Sequence, residues 1–222
     1  AAGAVLAAIW VMRYWEGPVA AFVAALAGAL AAAVLARGRF RIVCVVLAVG
    51  LAVPVAIGPM REGPLISLPV KTEGQGHMQE KMRLERWNEH SRIVVRGEDG
   101  APIHFVMIDR DALTLFARMP MREEGTEPEL PPFASNGSVA AIFHLGRDID
   151  RAAVIGVGGG RDLLFAKAGG ATEIDGYELN RIFFDLLEEE YYKFTGGLID
   201  WPEVNMIHDE GRVGITSSGK TY

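Results

Sequence analysis

Two runs along the chain carry no polar rhythm at all: residues 19–36 and residues 42–60 contain 18 and 19 positions without a charge. Each is close to the ~20 residues a helix needs to cross the hydrocarbon of a bilayer, so both predict transmembrane helices. Residues 1–12 are also uncharged, but the stretch is short and lacks an initiator methionine. It reads as the remaining end of a third span, with the chain a fragment at that end. A secretory signal would need a basic start and a soluble domain directly behind it, and neither is present. The first full run is dominated by alanine and glycine, which lets helix backbones approach closely where lipid supplies no hydrophobic drive and so favours a packed bundle. Neither run holds a charged residue, so neither marks an ion or substrate pathway, and a transporter is disfavoured.

From residue 63 the pattern changes. Residues 63–76 hold Pro64, Pro69, Gly74 and Gly76 and read as a linker. The β-prone runs 91–95 and 103–108 flank Gly97-Glu98-Asp99-Gly100, where Asp-Gly supplies the positive φ of a tight turn, so a β-hairpin is expected. Residues 119–137, rich in proline, glutamate and glycine, predict a mobile loop, either a lid or a plain solvated connection. Ser138 would cap a short helix over 139–145 ended by Gly146. The apolar run 152–155 then predicts a strand, followed at once by Gly156-Val157-Gly158-Gly159-Gly160 and a helix over 161–168. A weaker strand over 171–177, interrupted by Glu173 and Asp175, ends at Glu178. A helix over 180–194, with Ile182, Phe183, Leu186, Leu187 and Phe194 inward, and a strand over 204–207 complete the pattern. The predicted fold class is α/β: transmembrane helices (1–60), a linker (61–84), a small β-hairpin domain (85–118), the loop (119–137) and the first half of a Rossmann-like domain (138–222).

Charge narrows the partners. Residues 1–60 hold four of the 22 basic residues and one of the 28 acids, which leaves 18 basic and 27 acidic residues beyond and a net charge of −9 there. Such a field repels a phosphate backbone and excludes a nucleic-acid surface, while it tolerates a cationic substrate. The single cysteine, Cys44, lies in an apolar run and can build neither a disulfide framework nor a thiolate site. The five histidines show no ligand spacing, so no metal is expected.

Strand, glycine turn and helix in succession form a ligand cradle, because the backbone must reverse sharply and approach a ligand with no Cβ in the way. Gly156, Gly158, Gly159 and Gly160 are the candidate wall of that cradle. Glu178 follows Gly160 by about 18 residues, near the ~20 expected for a carboxylate that accepts hydrogen bonds from ribose hydroxyls. Asp209 lies just past the third strand, on the edge where open α/β sheets bind ligands. The ordered triple of turn, acid and acid implies a bound nucleoside. Nicotinamide dinucleotides use the same βαβ geometry. The crowded Gly158-Gly159-Gly160 and the acid after the third strand lean instead to S-adenosylmethionine or decarboxylated S-adenosylmethionine.

With these residues in view, the stretch 154–209 resembles the spermidine and spermine synthase family, whose pattern is a strand, a Gly-Gly-Gly turn with an aspartate close behind, and an acid after the second strand. Asp162 stands for that aspartate, one place late because Arg161 intervenes, and Asp209-Glu210 resembles the acidic step that faces the adenine amino group. Trp87-Asn88 with Ser91-Arg92 resembles a membrane-fused branch of synthase-like proteins. The resemblance implies aminopropyl or methyl transfer to an amine such as a polyamine, and it allows a homo-oligomer. The carboxylate that would deprotonate the amine belongs after a fourth strand, beyond Tyr222, so the catalytic residue is not assigned. The tyrosine and acid expected before the 139–145 helix are absent from Ala134-Ser135-Asn136-Gly137.

Orientation is contested within the sequence itself. Arg37, Arg39 and Arg41 form a basic turn that the positive-inside rule places in the cytoplasm, and one more crossing would put the rest of the chain outside. Adenosyl cofactors are made in the cytosol, which favours a cytoplasmic soluble part. Two functions stay open: a membrane-tethered transferase, and a non-catalytic sensor or scaffold attached to a membrane bundle.

Overall fold

The computed structural model describes residues 17–60, 81–109, 112–135, 141 and 149–222. The expected third span, the linker over 63–76 and the helix over 139–145 lie outside these residues, apart from the isolated residue 141. The chain divides into two units, Ala1–Gly74 with Leu84–Val94 and Ile108–Arg110, and Gln75–Arg83 with Val95–Met107 and Asp111–Tyr222.

In the first unit the uncharged runs form α1, Gly17–Leu35, and α2, Arg39–Ile57, each 19 residues and long and apolar enough to cross a membrane. At ~1.5 Å per residue each is about 28 Å long, close to a bilayer's hydrocarbon thickness. Gly38, at φ 60°, makes the link between them short, so they return antiparallel. Val19, Ala20, Ala33 and Ala48 are buried, and the missing side chain of Gly58 admits Val19. Most large side chains of α2, among them Ile42, Val46 and Val49, remain exposed. Also in this unit, the buried Glu85 accepts hydrogen bonds from Trp87 Nε1 (2.8 Å) and Arg92 Nε (2.9 Å), both at Oε1.

Four strands, β1 (Met82–Trp87), β2 (Arg92–Arg96), β3 (Ile103–Ile108) and β4 (Ala112–Ala117), form a sheet in sequence order. Their links are too short for crossovers, so neighbours run antiparallel. The expected turn joins β2 to β3, with Gly100 at φ 82°. Strands β1 and β4 lie beyond the expected hairpin: β1 carries Arg83, Glu85 and Arg86, charges on both faces that mask its period, and β4 starts beside the charged 109–111 link.

The second unit contains the predicted parallel sheet, β5 (Arg151–Ile155), β6 (Glu173–Tyr177) and β7 (Val204–Ile207), in the order β5-β6-β7. Val154 is in register with Gly176 and Gly176 with Met206. Helix α3 (Arg161–Ala168) follows β5, α4 (Arg181–Glu188) follows β6, and α5 (Gly211–Ser218) follows β7. The core is Leu163, Leu164, Ile174, Tyr177, Phe183, Leu186 and Leu187, all buried. Asp175, which weakened the strand in the sequence, lies fully inside because its carboxylate receives Lys220 Nζ (2.6 Å), Tyr222 Oη (2.7 Å) and Asn205 Nδ2 (2.7 Å).

Helix α4 is shorter than the expected 180–194. Glu188, Glu189 and Glu190 crowd negative charge at the helix end where the macrodipole is already negative. The chain then leaves the helix so that Tyr191 can stack on Phe116, ring centroids 4.2 Å apart, and Phe194 can reach His104 at 4.4 Å. Segment 119–135 contains only one short helical turn, Pro132–Ser135. It is anchored nonetheless: Arg122 pairs with Glu203, Glu127 with Lys167 at 2.8 Å, and Ala134 is wholly buried.

Candidate functional site

Strand β5 delivers the chain to Gly156 at the carboxyl edge of the parallel sheet. Gly156 adopts φ 73°, Gly158 φ 54° and Gly160 φ 90°, the left-handed conformation that disfavours side chains. The four glycines nevertheless serve different ends. A Cβ on Gly156 would meet nothing within 4 Å, and the residue is exposed. A Cβ on Gly159 would lie 2.0 Å from the Leu115 carbonyl oxygen of β4, and one on Gly160 would lie 2.4 Å from Leu198 Cδ2. Gly158 stands 3.0 Å from Thr114 by the same measure. Three of the glycines are thus accounted for by protein packed against them, and Gly156 alone opens on free space.

Glu178, at the tip of β6, is 6 % exposed. Its Oε2 accepts the Gly158 N–H at 2.9 Å and its Oε1 accepts the Asn180 N–H at 2.7 Å. Its own N–H donates to Ile207 O at 3.0 Å, while Gly156 N–H donates to Tyr177 O at 2.8 Å. The tips of all three strands are therefore laced together, with the carboxylate braced against the glycine turn. Asn180 caps α4 by accepting the Ile182 N–H at 3.0 Å, which fixes where that helix begins.

Asp209 follows β7 on the same edge, half-buried, with Oδ1 accepting the Glu210 N–H at 2.7 Å. Glu210 is spent differently: its carboxylate accepts the N–H groups of Val213 (3.0 Å) and Arg212 (3.2 Å) and caps α5. Those same N–H groups, Val213 foremost, hold its carboxyl below the ordinary range. Asp162, in the first turn of α3, pairs with its neighbour Arg161 at 2.9 Å. Gly156, Glu178 and Asp209 therefore share one edge of the sheet, while Glu210 and Asp162 are held in local contacts.

Sequence reasoning missed three apolar residues exposed on these elements: Ile155 ending β5, Leu179 following Glu178, and Val213 in the first turn of α5. Gly211 lets that helix close on Ile155. It also missed Thr114, whose hydroxyl lies 3.4 Å from Gly159 N, because β4 was not legible as a strand. An apolar residue at or just past the carboxyl end of a strand, beside the glycine turn or the acid, is the signal that could have found the first two. Among the described residues no three His, Cys, Asp or Glu side chains gather as a metal site.

A parallel βαβαβ unit with a glycine reversal and a braced carboxylate at its carboxyl edge defines the class to which this site belongs, a mixed α/β arrangement. No protein-family profile and no curated protein matches the sequence. Among solved structures the chain is similar to spermidine synthase in complex with the transition-state analogue AdoDATO, at 14% identity and TM-score 0.41 over 61% of this chain and 43% of that one. It is similar to spermidine synthase from Thermotoga maritima at the same identity and score, over 61% of this chain and 42% of that one. The chain spans under half the length of these structures.

Proposed function

We propose that residues 151–222 are the first half of a Rossmann-like domain holding S-adenosylmethionine or its decarboxylated form, within a membrane-tethered, spermidine synthase-like transferase. The observation that carries this reading is the Glu178 carboxylate, buried at a strand tip and joined to the Gly158 amide, beside a Gly156 that faces open space. Residues for the group are present. Glu178 would accept from ribose hydroxyls, Asp209 from the adenine amino group, and Ile155, Leu179 and Val213 supply apolar surface for a flat ring. When bound, the cofactor supplies a sulfonium carbon open to attack by an amine, a polyamine being the acceptor class that the family resemblance suggests. The chain's own contribution is to orient: bringing nucleophile and carbon into line removes an entropic barrier worth several kcal/mol, up to ~7–11 in the best cases. In this reading α1 and α2 span the bilayer and the cofactor domain faces the cytosol, where the cofactor is made.

Calorimetric titration of the detergent-solubilised chain with both cofactor forms tests the proposal. One form binds, and Glu178→Gln weakens it about tenfold or more, the scale of a hydrogen bond to a charged group. If neither form binds, the reading is wrong. A sensor or scaffold is the second reading. It is favoured by the commitment of Gly159, Gly160, Asp162 and Glu210 to protein contacts, and transfer of a labelled group to an amine would discard it.

A further inference from the structure

The link between α1 and α2 carries charge that nothing in the helical hairpin balances. Arg37, Arg39 and Arg41 fall within five positions and are all exposed, and residues 17–60 contain no aspartate or glutamate. Two of the three stand in the first turn of α2, where positive charge opposes the helix macrodipole, so they do not serve the helix. Gly38 at φ 60° holds the turn tight, and the Arg41 N–H closes it on Gly38 O at 3.2 Å. Phe40, 75 % exposed, sits among the arginines, an aromatic at the level where a bilayer's headgroups begin.

Resting on the reading that α1 and α2 span the membrane, we propose that the Arg37/Arg39/Arg41 turn is a binding site for anionic phospholipid headgroups. Both helices are 19 residues long, so both reach the edge of the hydrocarbon together at this turn. The guanidinium groups then lie at phosphate depth. Arginine suits that ligand, since its planar fork donates two parallel hydrogen bonds to phosphate oxygens. The site is on the leaflet opposite the one where α2 ends, because the two helices are antiparallel. Each arginine near an anionic surface contributes about fivefold in association at low salt.

The test places the full chain in phosphatidylcholine vesicles containing a trace of spin-labelled phosphatidylglycerol or spin-labelled phosphatidylcholine. The immobilised fraction of each label gives their relative association with the protein. At low salt phosphatidylglycerol is favoured at least about fivefold, the contribution of one arginine; the triple change Arg37→Gln, Arg39→Gln, Arg41→Gln brings the ratio close to one, and the triple lysine variant keeps most of the preference. An equal ratio for the unaltered chain, or a ratio that the glutamine variant leaves unchanged, overturns the proposal. Loss of the preference on adding inorganic phosphate at constant ionic strength would mean a free-anion site and would overturn it too. An alkaline carbonate wash of the same vesicles separates the two ideas. Release of the chain defeats the membrane reading and the headgroup site with it, whereas retention with an equal ratio defeats the headgroup site alone.

Discussion

Replacing Gly159 with alanine separates a glycine needed for packing from one needed for a ligand. The new Cβ would lie 2.0 Å from Leu115 O and 2.5 Å from Leu115 C, backbone atoms of a strand that cannot rotate away. Carbon and oxygen need well over 3 Å, so the glycine turn or β4 must shift by about 1 Å. Overpacking of this kind costs ~1–3 kcal/mol, and the rigid obstacle puts Gly159→Ala near the upper figure. Gly156→Ala meets no atom within 4 Å, so its cost is the left-handed backbone alone, at φ 73°. That is ~1–2 kcal/mol. Urea unfolding of the detergent-solubilised chain, followed by fluorescence of the buried Trp201, reads the difference. With a slope of ~1–3 kcal/mol per molar, the Gly159→Ala midpoint falls by about 1–2 M and the Gly156→Ala midpoint by roughly half as much. Cofactor affinity should fall the other way round per unit of stability lost, because the Gly156 methyl enters the open side. An unchanged midpoint for Gly159→Ala would show that β4 does not press on the turn, and the assignment of three glycines to packing would be wrong.

Other consequences concern charge and capping. Glu203 is held down to about 2, first by the Arg122 hydrogen bonds and then by Lys167, against the burial that opposes ionisation. Its folded value lies below its unfolded one, so its contribution is complete above pH ~4.5 and is lost as pH falls toward ~2. Glu203→Gln should flatten that part of an acid titration followed by circular dichroism. His104 is shifted below its ordinary value chiefly by burial, with the nearby Arg83 and Arg118 adding to it and the Glu98 carbonyl opposing. The fold therefore prefers the neutral ring, and stability present above pH ~6.5 declines as pH drops through the lowered folded value. In His104→Phe, chemical denaturation midpoints should lose that dependence; a slope equal to that of the unaltered chain would refute it. Asn180→Ala removes the cap of α4 and should cost ~1 kcal/mol in the same measurement.

Much of the architecture was written locally. Charge-free runs of 18 and 19 residues gave both helices of the first unit, because an uninterrupted apolar stretch of that length is displayed directly by composition. The order strand, glycine turn, strand, acid, strand gave β5, β6 and β7 and placed Gly156, Glu178 and Asp209 on one sheet edge, since a parallel sheet with helical crossovers puts every such loop at the carboxyl ends. What the sequence left undecided was which atoms those residues meet. Gly158, Gly159 and Gly160 look alike in the chain, yet their neighbours are Thr114, Leu115 and Leu198, more than 35 positions away. Glu210 and Asp209 are adjacent acids, and only the start of α5 turns one of them into a cap. Asp175 reads as a break in a strand until Lys220 and Tyr222 fold back to satisfy it. Local propensity depends on neighbours in sequence, whereas hydrogen-bond satisfaction and close packing depend on neighbours in space, and those are settled only when the chain has closed on itself.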